Sequence, residues 1–64
     1  MYMSRFFPTR NEAETLVKEQ GYGAIYSNVK GSRTQKSYRV EASMAYLNDE
    51  IKERNPYVVA WNEK

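Results

Sequence analysis

Ser37-Tyr38-Arg39-Val40-Glu41-Ala42 is the stretch on which the fold turns. Tyr38, Val40 and Ala42 alternate with Ser37, Arg39 and Glu41, the pattern of a β-strand with one apolar and one wet face. Just upstream and overlapping it, Lys30 to Arg39 reads K-G-S-R-T-Q-K-S-Y-R, with four positive charges and no negative one. Gly31 and its polar neighbours suit a flexible turn, so this segment is expected to be a basic hairpin leading into the strand.

The strand before the hairpin is expected over Tyr22–Val29. Tyr22, Ala24 and Tyr26 fall on one face, and Gly23, Ile25, Ser27 and Val29 on the other. Neither face is polar, which suits a central strand or one that exposes aromatics for use. Further upstream, Ala13, Leu16, Val17 and Gln20 recur at helical spacing and predict a helix over residues 10–20. Thr9 and Glu12 have capping-box spacing at its start, and Gly21 supplies a left-handed stop. Met1–Phe7 has strand composition, although Ser4 and Arg5 place a polar member in each alternating set.

Downstream, Met44, Leu47, Asn48 and Ile51 mark one side of a second helix, expected over residues 43–55 and limited by Pro56. Tyr57–Trp61 is the last strand, with Tyr57, Val59 and Trp61 on one face and Val58 and Ala60 on the other. The expected architecture is a single α+β domain over residues 1–64. It is a compact split βαβ, ferredoxin-like β-α-β-β-α-β arrangement, with two helices on one face of an antiparallel sheet. The alternative, with the N-terminal segment left out, is α-β-β-α-β with a three-stranded sheet.

Composition removes several kinds of chemistry. The 64 residues contain no Cys and no His, so thiol nucleophiles, Cys/His zinc sites and an imidazole proton shuttle are absent. The Gly residues do not form a phosphate loop, and Ser27 with Lys30 or Ser32 with Lys36 lacks the helical S-x-x-K pattern of a serine-lysine pair. Most of the eight acids fall on outward helix faces, and neither a calcium-loop nor a three-ligand pattern is present. The expectation is therefore no enzyme activity, no cofactor and no small-molecule substrate. No apolar run reaches ten residues, so neither a membrane span nor a leader is expected, and the missing cysteines fit a cytoplasmic location.

Charge distribution is more informative than the net value of +2. Residues 11–20 and 41–54 each sum to −2, whereas residues 21–40 carry Lys30, Arg33, Lys36 and Arg39 and no acid. The expected function is non-catalytic binding. Nucleic acid is the first candidate partner, with Lys30, Arg33, Lys36 and Arg39 on phosphates and Tyr22 and Tyr26 stacking bases from an open sheet face. The alternative is a small accessory or inhibitory protein that binds another protein, or dimerises, through a Tyr57 and Trp61 surface on an edge strand.

Overall fold

The computed structural model describes residues 1–63. In chain order they form β1 (Tyr2–Phe7), α1 (Arg10–Gln20), β2 (Ala24–Ser27), α2 (Gln35–Met44), α3 (Asp49–Arg54) and β3 (Tyr57–Asn62). The sheet has three strands in the order β1-β3-β2, with β3 antiparallel to both neighbours. The sheet has the three strands of the alternative reading but not the same three: the N-terminal segment joins it, and residues 37–42 do not. β1 and β2 therefore run parallel with β3 between them, a split β-α-β unit. The four-stranded ferredoxin-like arrangement does not form among the described residues, because a helix replaces its expected third strand.

That helix is the main correction. Ser37–Ala42 lies inside α2, where Tyr38, Glu41 and Ala42 are buried and Val40 is 52% exposed. Buried positions at i, i+3 and i+4 trace one helical face. The alternation seen in the sequence was genuine, but it placed Val40 on the wrong side. Over Gln35–Met44 only Val40 is β-branched, and Gln, Lys, Arg, Glu, Ala and Met are all good helix formers.

The expected second helix is also two pieces. α2 stops in a Schellman turn: the Leu47 N–H donates to the Ala42 carbonyl at 3.1 Å and the Tyr46 N–H to the Ser43 carbonyl at 3.2 Å. Leu47 then packs against the cluster that contains Ala42. Asn48 starts α3 by accepting the Ile51 N–H at 2.8 Å through its side-chain oxygen. At the start of α1 the Thr9 hydroxyl accepts the Glu12 N–H at 3.3 Å, and Gly21 ends that helix with φ 82°.

Helices cover both faces of the sheet, which overturns the expected pair of helices on one face. Phe6, Val58 and Tyr26 form a row across the three strands and pack beneath Tyr38, Ala42 and Leu47 on the α2 side. On the opposite face Val17 of α1 closes over Val59. A Cβ on Gly23 would lie 3.2 Å from the Val59 side chain and 3.4 Å from that of Val17. Gly23 also has φ 133°, so both its backbone and its missing side chain let α1 approach. Val58 and Val59, successive residues pointing to opposite faces, are both fully buried. The expected edge strand carrying Tyr57 and Trp61 is the central strand β3.

Candidate partner-binding surface

The basic segment is a loop running into α2, not a hairpin. Hydroxyl groups shape it from within. The Ser27 N–H donates to Thr34 Oγ1 at 2.8 Å, the Val29 N–H to Ser27 Oγ at 3.1 Å, and the Thr34 N–H to Ser32 Oγ at 3.3 Å. The Ser32 N–H adds a turn bond to the Val29 carbonyl at 2.9 Å, and Gly31 takes φ 85°. Short polar side chains thus satisfy the backbone and push the long cationic ones outward.

Lys30 and Arg33 project from this loop, and Lys36 and Arg39 from the first part of α2; all four are exposed. Among the described residues none of the four pairs with a carboxylate within 4.0 Å, whereas Arg10 pairs with Glu14, Lys52 with Asp49 and Arg54 with Glu50. The structure therefore leaves the four sequence-predicted cations exposed along one continuous segment, the loop and the first part of α2. It does not bring the two tyrosines to an open sheet face with them. Tyr26 is half-buried in the row beneath α2, and Tyr22 is half-buried just before β2.

Tyr57 and Trp61 are half-buried on the α1 side of β3. The Arg10 guanidinium lies 6.0 Å from the centre of the Tyr57 ring. Among the described residues there is no helix long and apolar enough to cross a membrane.

Three residues of this surface were missed by sequence reasoning. Val40 and Met44, one turn apart on the outer side of α2, are 52% and 59% exposed, and Tyr46 just past its end is 94% exposed. Lys36, one turn before Val40, continues the stripe. Tyr46 has φ 56°, the left-handed conformation that the Schellman turn demands at this position and that glycine fills most easily. Their signal was the i, i+4 spacing of Val40 and Met44, visible only once the segment is read as a helix. Nothing local in the sequence marks Tyr46 as left-handed.

On its other flank Arg39 enters a polar cleft of about 460 Å³ shared with Asn28, Gln35, Asp49, Lys52 and Glu53. Its two cations and two carboxylates balance, and Lys52 already holds Asp49 at 3.0 Å. Glu41 faces inward and accepts a hydrogen bond from the Tyr2 hydroxyl. Desolvation, then this bond and the nearby carboxylate charge, push the Tyr2 phenol up to about 12. These groups fasten α2 to β1.

Comparison with known protein families, with characterised proteins and with solved structures finds no match.

Proposed function

We propose that the chain is a non-catalytic protein-binding module that docks the outer face of α2 onto an acidic partner surface containing an apolar groove. The observation that carries this reading is the stripe Lys36, Val40 and Met44, flanked by Arg39 and ending at exposed Tyr46. Apolar side chains at i and i+4 are the anchors a helix offers a groove. Unpaired cations at the margin favour an acidic rim, speed encounter and select against basic partners.

Nucleic acid ranks second in this reading. Backbone phosphates would satisfy the cations equally well, but they would make no use of Val40 and Met44. Helices on both faces of the sheet also leave the tyrosines of the stacking scheme half-buried.

A photoreactive amino acid placed at position 40, and in a separate protein at position 15 on α1, tests this in the native cell. Random-sequence oligonucleotide is titrated in parallel at low and high salt. A protein cross-linked from position 40 but not from 15, and lost when Arg33→Gln, Lys36→Gln and Arg39→Gln are combined, is the expected result. Salt-sensitive oligonucleotide binding without a cross-linked protein would replace the proposal with phosphate recognition.

A further inference from the structure

We infer that the outer edge of β1 pairs with the same edge of a second copy, antiparallel about a twofold axis at Ser4. The central strand fixes which backbone groups are available. The Glu63 N–H donates to the Met1 carbonyl at 2.8 Å, one pair beyond the Tyr2 and Asn62 partners. In an antiparallel ladder the bonded pairs alternate, so Met3, Arg5 and Phe7 bond inward to β3. The N–H and C=O groups of Tyr2, Ser4 and Phe6 then point away from the sheet. Among the described residues these groups have no backbone partner outside the ladder.

The other edge is shorter and partly capped. By the same alternation, the bond from the Asn28 N–H to the Pro56 carbonyl at 2.7 Å leaves Ile25 and Ser27 facing outward on β2. The Ser27 N–H is already taken by Thr34 Oγ1 at 2.8 Å. β2 also has only four residues, against six in β1. An open strand of that length is a template for pairing with another strand.

The sequence of β1 is complementary to itself in one register. With Ser4 opposite Ser4 of the second copy, Tyr2 meets Phe6 and every outward N–H and C=O of Tyr2, Ser4 and Phe6 finds a partner. On the opposite face Met3 meets Arg5 and Met1 meets Phe7. Met1, now 85% exposed, and Tyr2, now 45% exposed, would both gain aromatic neighbours. Moving the axis to Arg5 sets two guanidinium groups face to face and places Tyr2 opposite Pro8, which has no N–H. Moving it to Met3 leaves Phe6 opposite no residue of β1. Arg5 itself lies over the Phe7 ring at 5.4 Å, and in the Ser4 register it meets Met3 rather than a like charge.

A strand-to-strand contact of this kind buries modest area, so the dimer is expected to be weak, with a dissociation constant between about 1 μM and 1 mM. Sedimentation equilibrium of the full chain across that range should show the mass rising from monomer to dimer. Ser4→Pro removes the N–H at the axis from each copy and should weaken the dimer about tenfold or more.

The absence of native cysteine makes a register test clean. Ser4→Cys places the two sulfurs across a bonded pair with Cα atoms about 5.5 Å apart, within disulfide reach. Arg5→Cys places its two copies about 8 Å apart, beyond it. Rapid oxidation of Ser4→Cys but not of Arg5→Cys is the expected result. A wild-type chain that stays monomeric at millimolar concentration, a folded Ser4→Pro protein that dimerises as well as wild type, or cross-linking by Arg5→Cys alone would overturn the inference.

Discussion

Replacing Tyr38 by Phe tests how the small third helix is held. Tyr38 is fully buried, and its ring meets Phe6 edge-on at 5.7 Å with an interplanar angle of 86°. Its hydroxyl donates to the Asn55 carbonyl at 2.6 Å and lies 3.3 Å from the Lys52 carbonyl. Those carbonyls belong to the end of α3, a helix with no buried residue of its own. Tyr38→Phe keeps the ring packing and removes only the hydroxyl. A net hydrogen bond contributes about 1 kcal/mol, and leaving a buried acceptor unpaired raises the cost toward about 3 kcal/mol. Asn55 is only half-buried, so water can reach its carbonyl, and the expected loss is about 1–2 kcal/mol. In a domain of this size that lowers Tm by about 7–15 °C. Amide exchange supplies the local readout: the Lys52 and Asn55 amides, bonded to the Asn48 and Ile51 carbonyls, should lose more protection than those of β3. An unchanged Tm, or a uniform loss across α3 and β3, would refute the tether.

Two further outcomes follow from the same structure. Tyr46→Gly should stabilise the fold by about 1 kcal/mol, because it relieves a left-handed residue whose 94% exposed ring contributes no packing; urea unfolding measures it, and a loss of stability would show that the ring has a partner within the chain. Stability should hold up to about pH 10, the ordinary tyrosine value, and decline between pH 10 and 12. The folded state resists ionising Tyr2, raised to about 12, and Tyr38, raised by burial, whereas the unfolded chain releases both protons near pH 10. Tyr2→Phe should shallow the decline, modestly because that side chain is 45% exposed; an unchanged slope would contradict the assignment.

The elements legible in the sequence were those with a boundary signal of their own. Thr9, Glu12 and Gly21 bracket α1, and Pro56 sets off β3, where Val58 and Val59 already showed apolar character on both faces. Apolar character on both faces suits a central strand, and the edge-strand reading of Tyr57 and Trp61 passed over it. The middle of the chain lacked such a signal. In six residues from Ser37 to Ala42, periods of 2 and 3.6 share Tyr38 and Ala42 and differ only over Val40 and Glu41. Tertiary contacts decided between them: a helix buries Glu41 where the Tyr2 hydroxyl can reach it, and the short Schellman turn at Ala45–Leu47 restarts the chain as α3.

The candidate surface was legible in its charge and not in its shape. Lys30, Arg33, Lys36 and Arg39 stay exposed whether the segment is hairpin or helix, because a long cation with no acidic partner is stabilised by water in either form. The apolar residues beside them do not share that indifference. Turning the strand into a helix exchanges Val40 for Glu41 at the core, and so converts an expected core valine into half of an outward Val40 and Met44 pair. Layering the sheet on both sides then half-buries Tyr26 beneath α2 and sets Tyr57 and Trp61, also half-buried, on the α1 side of β3. A surface first read as stacking rings beside cations thus becomes a helix whose cations flank aliphatic anchors. Chemistry of that kind fits an acidic protein groove more closely than it fits unpaired bases, which need exposed rings to lie upon.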